Sequence, residues 1–197
     1  MATGDQSVKQ NADRITLEAT AQAVGGRLQV SYALTNHGDR TLIAYDGAGG
    51  VGGPDYPDLT GGCYVSFTGR GVVRLLRIRP RPHPTMDTTR ILMPAVSVIS
   101  PGQTRRVAFA LPLPLKEHSE WSPDFAGAKY KSQTADRVEL AIDYFWKASS
   151  TELKPLGEPN VWQVRSGASL SEVHQVSQSF PVTIDVIVRT DDTFVRM

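Results

Sequence analysis

The chain has 197 residues, of which 40% are hydrophobic and 21% charged, and its formal net charge is +1. The length suits one domain, and a domain of this size buries about 70% of the surface that its unfolded chain exposes. The nearly neutral charge excludes an overall electrostatic attraction to nucleic acids or membrane surfaces. Because Cys63 is the only cysteine, an intramolecular disulfide is excluded as well.

The termini differ in composition from the rest of the chain. Residues 1–14 are polar and predict a flexible arm, 15–190 predict one β-domain, and 191–197 predict a short tail. No apolar run reaches the roughly 18 residues that a membrane helix needs, so no membrane span is expected. The sequence leaves two compartments open. The protein is cytoplasmic if Met1 is the native start, and periplasmic or secreted if a leader has been removed.

Alternating apolar residues predict strands from the start of this domain. The first runs from Ile15 to Ala23 and ends at two glycines. The second places Leu28, Val30, Tyr32 and Leu34 on one face, because successive strand side chains point to opposite faces. Asn, His, Gly and Asp at 36–39 then favour a turn. The next apolar run, 41–45, is predicted to pair with the second strand as a hairpin.

The same alternation predicts strands through the remainder of the chain. The runs are 63–68, 72–78, 96–99, 105–111, 138–146 and 180–188. The runs 63–68 and 72–78, joined by Gly69-Arg-Gly71, are predicted to form a hairpin. Segments 46–62, 79–90, 115–131 and 147–170 lack clear periodicity and are predicted to be long loops. A capping-box pattern at 169–172 allows at most one short helix.

Eight or nine short strands separated by Gly, Pro and Asn turns predict an all-β, antiparallel sandwich, with a closed barrel as the alternative. The pattern Leu-x-Val-x-Tyr-x-Leu-Thr-Asn-x-Gly-Asp, with Ile99-Ser-Pro-Gly-Gln103 and Val107-x-Phe109 later, resembles bacterial immunoglobulin-like domains. It is also similar to the bacterial intracellular proteinase inhibitor family. The resemblance covers 27–46 and 99–111. It implies an immunoglobulin-like sandwich and carries over no inhibitory residue.

The glycine-rich segment 47–52 matches the spacing of dinucleotide-binding loops. Such a loop must open a helix, but Pro54 and Pro57 follow and no helical period begins. The segment is therefore predicted to be a flexible loop, and no cofactor is expected. Three acids around it would offer oxygen ligands to calcium, or would simply be solvated. They are Asp46, Asp55 and Asp58.

Five arginines crowd one short stretch of the chain. They are Arg70, Arg74, Arg77, Arg79 and Arg81. Strand parity places the last three on one side, as an anion-binding stripe or as charges that protect a sheet edge from aggregation. The proline-rich run that ends at Pro84 and includes His83 predicts an extended segment that docks a partner or crosses between sheets.

Other chemistry-bearing residues have structural alternatives. His83 with Met86 and Met93 offers copper ligands without a repeated motif, so core packing is favoured. Cys63 lacks a histidine placed beside it in sequence and is predicted to be packed. Glu139 and Asp143 are about 13 Å apart along one strand, too far for a hydrolytic carboxylate pair, and are predicted to be solvent-face charges.

Three aromatic residues mark either a binding surface or a plug at one end of the sandwich. They are Trp121, Phe125 and Tyr130. The sequence thus predicts a non-catalytic binding or assembly module that acts through its loops, with another protein as partner. Specific nucleic-acid binding is not expected, and a homo-oligomer stays open. The alternatives are a proteinase inhibitor that presents a loop and an enzyme whose site combines dispersed residues.

Overall fold

The structure is a computed structural model that describes residues 14–46, 63–79, 95–117, 127–156, 159–166 and 172–190. These residues form an all-β fold. The strands are β1 (Ile15–Val24), β2 (Arg27–Asn36), β3 (Leu42–Ala44), β4 (Tyr64–Phe67), β5 (Val72–Arg77), β6 (Ala95–Ile99), β7 (Thr104–Pro112), β8 (Leu115–Lys116), β9 (Tyr130–Trp146), β10 (Glu152–Pro155), β11 (Trp162–Ser166) and β12 (His174–Arg189). Within these ranges, no helix is long and apolar enough to cross a membrane.

A three-stranded antiparallel sheet has the order β1-β2-β7. Its first hairpin turns at Gly25 and Gly26, whose φ angles of +57° and +74° favour glycine over residues with a side chain. On β2, Leu28, Val30 and Leu34 point inward and are buried. The alternation that predicts this strand is therefore confirmed.

A nine-stranded sheet is organised around β9. One edge of β9 pairs with β12, in a ladder that shifts register between Pro181 and Ile184. The other edge is shared, because β5 pairs with residues 137–142 and β3 with residues 144–146. This sheet curls into an open half-barrel, so the closed barrel considered from the sequence does not form in the described part of the chain.

The two sheets pack against each other across one main core. Leu28 and Leu34 of the small sheet lie there with Leu140, Ile142 and Val186 of the large one. The opposite face of the large sheet also buries apolar residues where it curls. That second core consists of Ile43, Tyr45, Val96, Phe145 and Val164. Because β3 and the end of β9 are covered on both faces, consecutive residues in them are buried.

The predicted hairpin between the second and third strands is wrong. β2 pairs with β1 and β7, whereas β3 pairs with β6 and β9 in the other sheet. Asn36 accounts for the change of sheet. Its buried Nδ2 donates to Arg40 O and Ile99 O, at 2.8 and 2.9 Å, and its Oδ1 accepts from the Gly38 N–H. These bonds hold a turn that crosses between the sheets.

Two of the predicted loops contain strands. Segment 147–170 includes the hairpin of β10 and β11, and β11 joins the large sheet through β6. Segment 115–131 begins with β8, which pairs with β12. The short helix considered at 169–172 lies mostly outside the described residues, and β12 begins at His174. The predicted arm and tail lie outside them as well, except for Arg14.

Candidate functional site

The ends of β3 and β5 meet head to head on β9. β3 ends beside Tyr144, and β5 ends beside Ile142. The Tyr45 N–H donates to Asp143 O at 2.9 Å, and the Arg79 N–H donates to Asp143 Oδ2 at 3.3 Å. Residue 143 therefore holds the chain just after each of the two strands.

A buried cluster of polar side chains fills the space inside this junction. We call it the Asp46 cluster, and it consists of Tyr32, Asp46, Arg77, Ser97 and Arg105. The Asp46 carboxylate accepts hydrogen bonds from Tyr32 Oη, at 3.0 Å, and from Ser97 Oγ. Arg105 Nε lies 3.6 Å from Asp46 Oδ2. The Asp46 side chain is 0% exposed, so these neighbours replace its hydration.

Arg77 is 2% exposed and lies between the sheets. Its Nη1 donates to the Asp46 backbone O at 2.6 Å and to Tyr32 Oη at 3.3 Å. Its guanidinium carbon is 4.5 Å from the ring centroid of Phe109 and 5.5 Å from that of Tyr32. Aromatic faces stabilise a desolvated guanidinium, and a buried charge of this kind needs such partners.

Burial changes the acidity of two groups at the cluster. It raises the pKa of Tyr32 well above its ordinary value, and the neighbouring Asp46 carboxylate acts in the same direction. Burial also raises the pKa of the Cys63 thiol to about 11, although the positive charge of Arg77 partly offsets this. A thiol with a raised pKa carries little thiolate at neutral pH. Cys63 is thus packed, as its sequence context predicts.

A second polar group, the Asp143 network, lies on the opposite face of β9. It consists of Arg74, Arg79, Glu139, Asp143 and Gln175. Gln175 Nε2 donates to Asp143 Oδ1 at 2.9 Å, and Arg74 Nη2 bonds Glu139 Oε1 at 3.0 Å. Asp143 is 3% exposed, so its prediction as a solvent-face charge is wrong. The reason is that Gln175 and the chain at Arg79 cover that face of the strand.

Tyr45 connects this network to the second core. Burial raises its pKa, while the charge and a side-chain hydrogen bond of Arg79 oppose the rise. Its ring packs against Phe145, with centroids 5.7 Å apart. The residue that directly precedes Asp46 is therefore fixed on the face opposite the Asp46 cluster.

The sequence-predicted site residues are not gathered in one place. Arg77 is buried and Arg79 half-buried, so neither is a freely exposed member of the predicted stripe. Tyr130 begins β9, and Lys116 Nζ lies 4.4 Å from its ring centroid. The other predicted residues lie outside the described part of the chain. They are Asp55, Asp58, Arg81, His83, Trp121 and Phe125.

Four chain ends lie close to the Asp46 cluster or to the Asp143 network. Segments 47–62 and 80–94, which lie outside the described residues, are flanked by Asp46, Cys63, Arg79 and Ala95. The last pair of the β4–β5 ladder, Tyr64 with Leu76, lies next to Cys63 and Arg77, and Ala95 lies two residues before Ser97 on β6. The residues that flank both segments thus lie beside two groups of polar side chains on opposite faces of β9.

Tyr32, Ser97 and Arg105 were not predicted as members of the cluster. They come from three separate strands, so no local spacing connects them to Asp46. One signal was present for Arg77, because it shares strand parity with Val73 and Leu75, both in the main core. An arginine at a core-facing position predicts a buried carboxylate or carbonyl partner.

No set of three or more His, Cys, Asp or Glu side chains that could hold a metal occurs among the residues that the structure describes. Comparison of the chain with models of protein families, with curated proteins and with solved structures found no match.

Proposed function

We propose that this protein is a non-catalytic binding module that contacts another protein through segments 47–62 and 80–94. The observation that supports this proposal most directly is that the residues flanking both segments lie beside two buried polar groups, the Asp46 cluster and the Asp143 network. A rigid scaffold that fixes the ends of long segments is the usual way in which a β-fold positions a binding surface.

The chemistry of the Asp46 cluster favours such a supporting role over catalysis. The Asp46 carboxylate is shielded from solvent and contacts Tyr32, Ser97 and Arg105, whereas a catalytic base must reach a substrate proton. The Cys63 thiol is buried and has a raised pKa, which is the opposite of an activated nucleophile. The charges of the cluster therefore stabilise one arrangement of the chain.

We further propose that the architecture is an immunoglobulin-like sandwich, as the sequence resemblance implies. The support is topological. A β1-β2-β7 sheet faces the run β12-β9-β3-β6, and the chain crosses between the two sheets after β2. The β4–β5 and β10–β11 hairpins are then additions to that arrangement, which extend the larger sheet.

The binding role can be tested by photo-crosslinking in the cell of origin. A photoreactive amino acid replaces Val51, Met86 or, as a control on the outward face of β1, Thr20. We expect Val51 and Met86 variants to form a covalent adduct with the same protein, which is then purified and its affinity measured by calorimetry. Replacing residues 48–61 with a Gly-Ser linker should weaken that affinity and leave the far-UV circular dichroism unchanged.

Either of two results would overturn the proposal. Adducts that form at Thr20 and not at Val51 or Met86 would move the contact surface to the small sheet. An unchanged affinity after replacement of residues 48–61, and likewise after replacement of 81–93, would remove both segments from the interface. If the captured partner is a proteinase, an activity assay with the purified pair distinguishes inhibition from simple binding.

A further inference from the structure

The three-stranded sheet has two edges, on β1 and on β7, and they differ in what the described residues place beside them. The Asn36 N–H donates to Gln103 O, and the Leu113 N–H donates to Gly26 O. Hydrogen-bonded pairs alternate along an antiparallel ladder. The odd-numbered residues of β7 therefore bond β2, and its even-numbered residues direct their N–H and C=O groups toward the free edge.

Three even-numbered residues form the open part of this edge. They are Thr104, Arg106 and Ala108, all exposed. Within the described part of the chain, β7 pairs with β2 alone. The open stretch ends at Ala110, whose O accepts a hydrogen bond from Arg27 Nη2 at 2.9 Å.

The opposite edge of the sheet, on β1, has a hydrogen-bonding partner. The Ala19 N–H, which points away from β2, donates to Gln178 Oε1 of β12 at 2.8 Å. β12 packs alongside β1. A side chain thus satisfies part of that edge, whereas the β7 edge presents an exposed main chain.

The inward side of β7 is incompletely covered. Val107 and Phe109 point toward the main core and pack against it, yet both are only half-buried. A further strand beside β7 would bury the apolar surface that these residues still expose, which favours association. Its inward-facing residues would then be apolar.

The outward side of β7 carries an uncompensated charge. Arg106 is exposed and forms no ion pair with any acid in the described part of the chain. In the register of the sheet, Ala33 lies between Glu18 and Arg106, so the backbones of these two residues are about 10 Å apart. Both residues border an open groove of about 500 Å³, which Ala33 and Ala108 also line. The small alanines leave room there for side chains of an added strand.

We propose that the β7 edge binds an extended, acidic segment of another protein, which adds to the small sheet as a fourth strand. Main-chain bonds at Thr104, Arg106 and Ala108 supply affinity, and an acidic side chain beside Arg106 supplies selectivity. Apolar residues of the segment cover Val107 and Phe109. The same arginine repels basic segments and gains no charge pairing from neutral ones, so it favours acidic segments over both.

The charge of β7 argues against a second copy of this chain pairing with itself through that edge. The sequence of β7, from Thr104 to Pro112, contains two arginines and no acid. Self-pairing would therefore leave Arg106 without an acidic neighbour, and in one register it would face its own copy. An acidic partner meets no such penalty.

The test uses the full chain and a blocked seven-residue peptide of alternating Glu and Val, with a Lys and Val peptide as the matched control. Binding is followed by NMR, and amide exchange is measured residue by residue. We expect the Glu peptide to protect the amides of Arg106 and Ala108, which point to the free edge. The amides of Val107 and Phe109 already bond β2 and should change little.

Two variants separate the contribution of the main-chain hydrogen bonds from that of the Arg106 charge. Ala108→Pro removes one open N–H, a change that an edge strand tolerates, and should weaken the Glu peptide about tenfold. Arg106→Glu should reverse the preference in favour of the Lys peptide. Equal binding of both peptides to the unmodified protein, protection elsewhere, or edge protection that grows with protein concentration alone would overturn the proposal. None of these results bears on crosslinking at Val51 or Met86.

Discussion

The side chain of Arg77 changes the meaning of the arginine-rich stretch. A guanidinium that donates to a backbone carbonyl and packs on Phe109 is part of the interior. Arg74, three residues earlier, instead pairs with Glu139 on the other face. Neighbouring arginines of one strand thus have separate structural roles, because strand parity sends them to opposite sides of the sheet.

We predict that Asp46→Ala destabilises the protein by about 3–5 kcal/mol. The substitution leaves Arg105 and the hydroxyls of Tyr32 and Ser97 without their buried acceptor, and breaking a buried pair costs about this much. Urea unfolding measures the effect. The control is Asp39→Ala, since Asp39 is 76% exposed and pairs with Arg14 at the surface. That control should change stability by less than about 1 kcal/mol.

Because the pKa of the Cys63 thiol is raised, we predict that the protein loses stability at alkaline pH. Its pKa rises from 9.0 to about 11 in the folded protein. The unfolded chain therefore loses this proton first as pH rises, so the free energy of unfolding falls between about pH 9 and 11. The contribution is fully present below pH 9. Across this range, the free energy of unfolding of the wild type should fall by about 2–3 kcal/mol relative to that of Cys63→Ala. A constant difference between the two would contradict the assignment.

At the scale of elements, the turn after β2 decides how the two sheets connect. Asn36 is fully buried, and its amide bonds the backbone at Arg40, Ile99 and Gly38. Gly38 also has little space, because a Cβ there would lie 3.0 Å from the ring of Trp146. The turn is therefore packed as tightly as a strand.

We predict that Asn36→Ala costs about 2 kcal/mol or more, because two carbonyls and one N–H lose a partner in a buried site. Thermal unfolding followed by circular dichroism measures the loss. His37→Ala is the matched control, since His37 is exposed and bonds only Thr16 through its ring. If the two variants unfold at the same temperature, the side chain of Asn36 does not hold the turn.

The strands themselves were largely predictable, whereas their pairing was not. β1, β2 and β7 alternate because each has one dry face, and this local pattern is visible in sequence. Nothing local reveals that β3 joins the other sheet, since that depends on Asn36 reaching Ile99. β10 and β11 lack alternation because they are short and are held by pairing and by the second core.

The Asp46 cluster was likewise not predictable from local sequence patterns. Beside a run of glycines, Asp46 reads as a solvated loop acid or a calcium ligand. Its burial depends on Ser97, which lies 51 residues further along the chain. A contact at that distance leaves no spacing that sequence periodicity can detect. Fold class thus followed from sequence, and the chemistry of the junction did not.

For the molecule as a whole, two features suit association with other proteins, and they share β7, because Arg105 of that strand belongs to the Asp46 cluster. The chain ends at Asp46, Cys63, Arg79 and Ala95 lie beside the two buried polar groups, and in the described part of the chain the outer edge of β7 pairs with no strand. One feature depends on buried charge, the other on an uncovered strand. Because Arg106 is exposed on the outward side of β7, Arg106→Glu should leave the Asp46 cluster intact.

If the Asp46 cluster holds the chain ends at Asp46, Cys63 and Ala95 in place, removal of the Asp46 carboxylate should loosen all three. Hydrogen exchange by mass spectrometry, with wild type and Asp46→Ala compared under native conditions, tests it most directly. We predict that exchange accelerates more at Asp46, Cys63 and Ala95 than in the β9–β12 ladder near Ser132 and Ile187, because the ladder reports only the loss of global stability. Faster exchange confined to Asp46, or spread evenly over the whole chain, would contradict the claim.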